Sequence, residues 1–272
     1  MKIEVKKKDE NESVFIIHDV DVTFVNSIRR IAMMEVPKIA IEDVNIMIND
    51  STMFDEVLAH RLGLVPLRSD LAALESLIPH EECDCEESCS KCSVSLILKE
   101  ENSSSAEKKY IYSKDLISND SKIKPVYDTI PILKLKEGEK VELEAIAQIG
   151  YGKNHTKWMP TTVCAYKNYP KITFNTEMEM EPEYAEACPR GVLNFEVATS
   201  EIEVVDIENC SMCKSCMRAS KEGAINVDFE KDKFIFTLET DGSISPEEVL
   251  QKACDVLTEK TDDIMAFCEG GS

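Results

Sequence analysis

The chain has 272 residues, 43% of them hydrophobic, which is enough for two or three small globular domains and too apolar for a disordered protein. Lys and Arg total 31 against 52 Asp and Glu, and the net charge of -21 disfavours extended contact with nucleic-acid phosphates. No apolar run reaches the ~18 residues of a membrane helix. The N-terminus, MKIEVKKKDE, lacks the apolar region of a secretion signal. We therefore expect a cytoplasmic protein that contacts no membrane.

Eleven cysteines are many for a chain of this length, and eight of them fall in two tight groups. Secreted disulfide scaffolds spread their cysteines through a short chain. Clustered cysteines without a secretion signal instead indicate metal binding in a reducing compartment. Outside the groups, Cys254 occupies an apolar position of a predicted helix, and we expect it to be a small buried residue.

The chain begins with a strand pattern followed by a helix pattern. Residues 13–20 predict a strand, and residues 23–36 predict a helix because their apolar side chains recur at helical spacing. Thr23 is expected to cap the start of this helix, and Pro37 is expected to stop it.

A second strand and a second helix follow. Residues 38–50 predict a strand, and residues 53–67 predict an amphipathic helix that ends near Gly63 and Pro66. We expect the apolar face of this helix to belong to the core. The residues of that face are Phe54, Val57, Leu58 and Leu62.

A polar loop at 80–93 carries the first cysteine group, in the pattern C-x-C-x3-C-x2-C. Four thiolates this close suit a tetrahedral structural zinc ion and leave no position for a catalytic water. Without a metal this polar loop has little to fold around, although a metal-free loop is the alternative. His80 could replace one ligand, but a solvated surface histidine is the simpler interpretation. The predicted zinc ligands are Cys83, Cys85, Cys89 and Cys92.

The composition of the middle of the chain changes twice. Residues 94–98 predict a strand, and residues 110–174 alternate short strand patterns with turns, which indicates a mostly β domain. Residues 176–210 are strongly acidic, and this shift marks a further segment around the second cysteine group.

The second cysteine group has the pattern of a bacterial-type ferredoxin. Three cysteines form C-x2-C-x2-C and a distant one precedes Pro189, a set that binds one [4Fe–4S] cluster. A second zinc site is the alternative, and a three-iron form of the cluster stays open. The predicted cluster ligands are Cys188, Cys210, Cys213 and Cys216. Other residues fill the positions of a second set, namely Met178, Glu181, Tyr184 and Ser220.

The C-terminal region predicts a hairpin and then a long helix. Residues 225–240 have the pattern of two short strands. Ser245 is the expected cap of the helix, Pro246 occupies its first position, and Glu248 completes a capping box. The apolar face of this helix consists of Val249, Leu250, Ala253, Val256 and Leu257.

Four long segments resemble RNA polymerase α-type subunits, the family of the bacterial α N-terminal domain and the eukaryotic third-largest subunit. They are residues 24–44, 55–67, 152–163 and 236–257, which follow the order of the family and span nearly the whole chain. With its cysteine loop and ferredoxin-like insert, the chain is most similar to the archaeal branch of that family.

The resemblance implies an α+β fold of three domains. These are an RNA polymerase α-type dimerisation domain with helices on an antiparallel sheet, an inserted mostly-β domain with the zinc loop, and a ferredoxin-like iron–sulfur domain. The dimerisation domain would be discontinuous. The expected boundaries are 1–38 and 223–272 for its two parts, 39–175 for the mostly-β domain and 176–222 for the iron–sulfur domain.

The resemblance also implies a non-catalytic role in transcription. In the family, a heterodimer with the L subunit, joined by the small N and P subunits, seeds the assembly of the large catalytic subunits. The helices at 23–36 and 246–266 would pack against the L subunit in an α2-like dimer. The expected partner contacts are Phe24, Ile28, Ile31, Val249, Leu250, Ala253 and Leu257.

Two functions of other classes are alternatives to this scaffold. A ferredoxin-like electron-transfer protein would use the cluster, but a redox relay needs a second cluster, a flavin or a haem, and the sequence offers none. A zinc-dependent nucleic-acid-binding module is disfavoured by the net charge of -21. The sequence has no P-loop and no paired nucleophile and base, so we expect no catalytic residues. The cluster is then structural, with redox regulation as an added hypothesis.

Overall fold

The structure, a computed structural model, describes residues 1–85, 88–103 and 107–270. These residues form two compact units, each assembled from separate stretches of the chain. The domain boundaries expected from the sequence stay a prediction. The first unit comprises Met1–Lys7, Val14–Asn26 and Ala165–Thr237, and the second comprises the described residues of Lys8–Ser13, Ser27–Cys164 and Leu238–Ser272.

Strands dominate both units. In chain order they are β1 (Lys2–Lys8), β2 (Glu12–His18), β3 (Pro37–Asn49), β4 (Ser93–Glu101), β5 (Lys109–Tyr112), β6 (Ile117–Ser118), β7 (Pro131–Leu135), β8 (Lys140–Tyr151), β9 (Thr161–Phe174), β10 (Leu193–Glu196), β11 (Glu201–Val204) and β12 (Ile225–Thr240). The α-helices are α1 (Val22–Met34), α2 (Asp55–Gly63), α3 (Leu71–Leu74), α4 (Pro182–Glu186), α5 (Ser215–Ala219) and α6 (Pro246–Gly270). None of these described helices combines the length and the apolarity that a membrane span requires.

The first unit carries most of a four-stranded sheet in the order β1-β2-β12-β9, and a separate hairpin of β10 and β11. The hairpin is antiparallel, with Leu193 opposite Val204. Within the sheet, Phe15 stacks on Phe236 with ring centroids 5.1 Å apart. Large apolar residues thus hold the sheet together, while short elements of the same unit carry the second cysteine group.

Residues 225–240 form one continuous strand, so the predicted hairpin is wrong. A tight hairpin turn needs residues with positive φ, and none of the described residues from 225 to 240 has one. The charged run at 230–233 therefore continues the strand with exposed or half-buried side chains.

The two long helices start at capped residues. The cap of α1 is Asp21, whose Oδ1 accepts hydrogen bonds from the Thr23 amide at 2.7 Å and from the Thr23 hydroxyl at 2.6 Å, so the expected Thr23 cap is wrong. At α6 the capping box is confirmed. The Ser245 amide donates to Glu248 Oε2 at 3.1 Å, and the Glu248 amide donates to Ser245 Oγ at 3.4 Å. Cys254, expected to be buried, is exposed on α6.

The second unit contains an antiparallel sheet in the order β3-β8-β4-β6. Its central strand β8 pairs Ile149 with Ile39 of β3 and Gln148 with Ser93 of β4. Because Ser93 directly follows Cys92, the end of the cysteine loop is fixed to the start of β4, an inner strand of this sheet.

The predicted helix after β3 is confirmed as α2, but its burial differs from the expectation. Leu58 and Leu62 are fully buried, whereas Phe54 is 78% exposed and Val57 is 48% exposed. The helical spacing of apolar residues located the helix but did not show which of them reach the core.

Candidate metal centres

The first cysteine group lies in the loop between a 3₁₀ turn at His80–Glu82 and strand β4. The Sγ atoms of Cys83 and Cys89 are 3.6 Å apart, those of Cys85 and Cys92 are 3.5 Å apart, and those of Cys89 and Cys92 are 3.8 Å apart. All four lie within 4.8 Å of one another, and in the part of the chain that the structure describes no other group of three or more His, Cys, Asp or Glu ligands is this compact.

These distances fit a single metal ion. A tetrahedral ion with metal–sulfur bonds of ~2.3 Å, as in zinc sites, separates its sulfurs by ~3.8 Å. Three of the six sulfur pairs lie 3.5 to 3.8 Å apart, close to that value, and all six lie within 4.8 Å. The four-cysteine group can therefore hold one metal ion.

Backbone hydrogen bonds hold the loop in this shape. The Ile78 amide donates to the Lys91 carbonyl at 3.0 Å and closes the base of the loop. The amides of Cys92 and Ser93 both donate to the Cys89 carbonyl, at 3.0 and 2.9 Å. The last two cysteines of the group are thus placed by a tight turn that leads directly into β4.

The electrostatics of the group favour a bound cation. The Lys91 amide and the neighbouring thiols stabilise the Cys89 thiolate and lower the pKa of Cys89 to about 7. The hydrogen bond with Cys83, together with the other crowded thiols and desolvation, raises the pKa of Cys85 to about 12. Four adjacent sulfurs cannot all ionise without a cation, so metal binding here displaces protons.

His80 lies beside the same sulfurs. Its Nδ1 atom is 3.6 Å from Cys92 Sγ and 3.9 Å from Cys85 Sγ, and the side chain is half-buried. The sequence offered His80 as a replacement ligand or as a solvated surface residue, and the structure places its ring beside two sulfurs but outside the compact set of four ligand atoms.

The second cysteine group lies in the first unit, where its four residues line one small cavity. Cys210 and Cys216 are buried, Cys188 is half-buried, and Cys213 is exposed. Apolar side chains complete the lining of the cavity, among them Ile172, Val192, Leu193 and Val227. The chain therefore brings together the four cysteines that the sequence grouped as cluster ligands.

The sulfurs of this group are more widely spaced than those of the first. Within the described residues, no three of them have ligand atoms that all lie within 4.8 Å of one another. The Val192 amide donates to Cys188 Sγ and the Met212 amide donates to Cys210 Sγ, each at 3.4 Å. Met212 reaches this position with a positive φ of 53°. Backbone amides aimed at thiolate sulfurs are the hydrogen bonds that tune iron–sulfur clusters.

Lys167 is a site residue that the sequence did not reveal. Its Nζ atom donates to the Glu208 carbonyl at 2.6 Å and to the Cys210 carbonyl at 2.9 Å, and burial lowers its pKa. It anchors the start of the C-x2-C-x2-C loop from strand β9. A lysine 43 residues away in sequence carries no local pattern that could have indicated this contact.

The positions of the missing second cysteine set are filled by ordinary contacts. The Tyr184 ring is 2% exposed and belongs to the hydrophobic core of the unit, and Met178 packs against that core. Glu181 forms an ion pair with Lys221 at 2.8 Å, and the Ser220 hydroxyl donates to the Met217 carbonyl at 3.1 Å. Core packing at Tyr184 and Met178 and polar contacts at Glu181 and Ser220 thus take the place of a second set of cysteines.

The expected partner-contact residues divide by burial. Ile28, Ile31, Val249 and Ala253 are buried within the chain itself, while Phe24, Leu250 and Leu257 are half-buried. Other apolar residues are exposed on the same two helices, namely Val22 and Met34 on α1 and Ile264, Met265 and Phe267 on α6. The partner role of the seven residues stays a prediction.

Comparison with known proteins gives the family. A family model described as the RNA polymerase Rpb3/Rpb11 dimerisation domain matches residues 14–261. The chain is 57% identical to DNA-directed RNA polymerase subunit Rpo3 of Methanobrevibacter smithii and 54% identical to that of Methanothermobacter thermautotrophicus, over 100% of both chains in each comparison. It is 31% identical to DNA-directed RNA polymerase II subunit rpb3 of Dictyostelium discoideum, over 97% of this chain and 93% of that one. The chain therefore belongs to the RNA polymerase Rpb3/Rpb11 dimerisation-domain family.

Proposed function

We propose that this chain is a non-catalytic assembly subunit of a DNA-dependent RNA polymerase, the counterpart of the archaeal D subunit, also called Rpo subunit 3. The observation that carries the proposal is the full-length similarity to the Rpo3 subunits, with a family match from residue 14 to residue 261. That match includes α1 and most of α6, at opposite ends of the chain. We place the protein in the cytoplasm, as its sequence predicts.

The proposed partner is the L subunit, in an α2-like heterodimer. The dimerisation domain would join residues 1–38 to residues 223–272, with α1 and α6 as its helices. Exposed apolar side chains support this proposal, because large ones such as Phe267 (84% exposed) and Ile264 (64% exposed) are unfavourable in water and typical of partner surfaces. The N and P subunits and the large catalytic subunits would join this heterodimer in later assembly steps.

Zinc is the ion that we propose for Cys83, Cys85, Cys89 and Cys92, in the mostly-β domain of residues 39–175. The short sulfur–sulfur distances and the closed four-thiolate set support a structural ion with no open coordination position. Its role would be to fix the polar loop between the 3₁₀ turn and β4.

We also propose one [4Fe–4S] cluster, held by Cys188, Cys210, Cys213 and Cys216 in a ferredoxin-like domain of residues 176–222. The C-x2-C-x2-C and Cys-Pro pattern, the shared cavity and the amides aimed at two sulfurs support it. When bound, the cluster supplies a covalent cross-link between α5 and the segment before β10. We propose a structural role with scope for redox regulation. Electron transfer is disfavoured, since the second set of cysteines is absent and two of its positions, Met178 and Tyr184, belong to or pack on the core.

Anaerobic co-expression with candidate L and N subunits tests the assembly proposal. We expect a stable complex that is brown, contains one zinc ion per chain and shows no nucleotidyl transfer without the large subunits. Phe267→Asp should weaken the complex roughly 10-fold or more, because it places a charge on the proposed interface. Val197→Asp is the matched control, since Val197 is 81% exposed and lies in the first unit. Failure of the wild-type chain to bind any polymerase subunit would remove the proposal.

A further inference from the structure

His80 occupies a fixed place in the loop of the first cysteine group. It begins the 3₁₀ turn before Cys83, and the His80 carbonyl accepts a hydrogen bond from the Cys83 amide at 3.1 Å. Pro79 precedes it and accepts a hydrogen bond from the Glu82 amide at 3.0 Å. The backbone on both sides of the imidazole is thus tied into the turn, and the ring faces the sulfurs with its Nδ1 atom.

The four sulfurs divide into two pairs by the kind of nitrogen that faces them. Cys83 accepts a hydrogen bond from the Cys85 amide, and Cys89 accepts one from the Lys91 amide. His80 Nδ1 lies 3.6 Å from Cys92 Sγ and 3.9 Å from Cys85 Sγ, both within the range of hydrogen bonds to sulfur. Backbone amides therefore donate to the sulfurs of Cys83 and Cys89, and the His80 imidazole lies beside the other two sulfurs.

The net charge of a metal-bound site explains why an N–H donor such as His80 would stabilise it. Four thiolates around one dication leave an excess of negative charge, and the neighbouring side chains Glu81, Glu82 and Asp84 are also acidic. An N–H donor withdraws charge from a thiolate and stabilises it against protonation and release. A neutral imidazole with its proton on Nδ1 is sufficient for this role.

We infer that His80 is a positioning residue for the metal site, which donates its Nδ1–H to the Cys85 and Cys92 thiolates and slows the loss of the bound ion. It is not one of the ligands, because the four cysteines already form the compact set of ligand atoms to which His80 does not belong. The inference rests on the zinc site of the proposed function. It adds a residue outside the four ligands whose substitution changes how long the ion is held.

The test compares the zinc-loaded wild-type chain with His80→Ala and His80→Asn. Release of zinc to a colorimetric chelator is followed at neutral pH, and sulfur-to-cobalt charge-transfer absorption is recorded for the same chains loaded with Co²⁺. We expect His80→Ala to release zinc roughly 10- to 100-fold faster. The cobalt absorption should stay that of four thiolates. His80→Asn should release zinc about as slowly as the wild-type chain, because its amide places an N–H close to the position of Nδ1.

The control is His60→Ala, which removes an exposed histidine of α2 and should release zinc at the wild-type rate. Equal release from wild type and His80→Ala would overturn the inference while leaving the zinc site intact. A cobalt spectrum of His80→Ala that indicates a changed ligand set would also overturn it, because His80 would then be a ligand. A wild-type chain that binds no zinc would instead contradict the proposed zinc site, and the inference with it.

Discussion

The first cysteine group gathers its sulfurs around a point, whereas the second surrounds a cavity. In the first, three sulfur pairs lie 3.5 to 3.8 Å apart and all lie within 4.8 Å, which matches one ion. In the second, three of the cysteines are as close in sequence, yet no three described sulfurs lie within 4.8 Å of one another. The surroundings differ as well, because the first lies in a polar loop and the second is lined by Val192, Leu193 and other core residues. The packing around the cysteines, as well as their spacing in sequence, therefore determines whether one ion or a larger cluster fits between the sulfurs.

The largest effect is expected at the first group. Cys92 is fully buried, and Cys92→Ser removes one of the four proposed ligands. If each ligand carries about a quarter of the ~10–16 kcal/mol typical of structural zinc, the affinity for zinc should fall roughly 100- to 1,000-fold. Competition with a chelator measures this, and proteolysis should then cut within 80–93. Cys254→Ser, at an exposed cysteine outside both groups, is the control that should leave zinc binding unchanged. Equal affinities in the two variants would contradict the assignment.

Near the second group, the largest effect on stability is expected from the hydrophobic core, which includes residues at the positions of the missing ligands. Tyr184→Ala removes a ring that is 2% exposed and should destabilise the first unit by about 3 kcal/mol, as for other buried aromatic residues. Chemical denaturation of the full chain, followed by a probe in that unit, measures the loss. Tyr110→Ala, at a ring that is 52% exposed in the second unit, should cost far less. A small effect of Tyr184→Ala would mean that packing does not replace the second set of ligands.

Acid should weaken metal binding at the first group. Without metal, the pKa of Cys85 is about 12 and that of Cys83 is raised, so both hold a proton at pH 7.5. Zinc must displace these two protons and any that remain on the other two thiols, so its affinity should rise with pH and fall at least about 100-fold for each unit of acidification. A pH indicator in weak buffer counts the released protons during titration with zinc. Release of no protons would show that the thiols are already ionised and that the crowding argument is wrong.

The smallest effect is expected at Lys167. Lys167→Met removes two hydrogen bonds to loop carbonyls and should cost about 1–2 kcal/mol of stability in the first unit. The brown colour expected from the proposed cluster should also fade faster in air. Lys171→Met changes an exposed lysine of the same strand and should match the wild-type protein in both measurements. Identical fading in the two variants would show that the anchor does not protect the cysteine loop.

The sequence predicted best where the determinants are local. The first cysteine group and the C-x2-C-x2-C part of the second follow from spacing within a few residues, and the capping box of α6 follows from Ser245 and Glu248. The prediction failed where residues distant in sequence determine the burial or the contacts of a side chain. The exposure of Phe54 depends on which neighbours cover α2, and the anchor at Lys167 depends on a residue 43 positions away in sequence. The single strand β12 differs from the predicted hairpin because alternating apolar residues fit both, and only the absence of a turn residue separates them.

The uneven stability of α6 along its length affects the free energy with which the chain would bind a partner. The capping box nucleates this helix at Ser245, and the side chains from Thr258 to Glu269 are all exposed. A helical stretch of about 12 residues with little tertiary packing is marginal in water, so we expect its last turns to fray even though the capping box stabilises the start of the helix. The free energy of partner binding therefore includes the ordering of these turns. Amide hydrogen exchange should record this as weak protection beyond Thr258 in the free chain and strong protection in the complex.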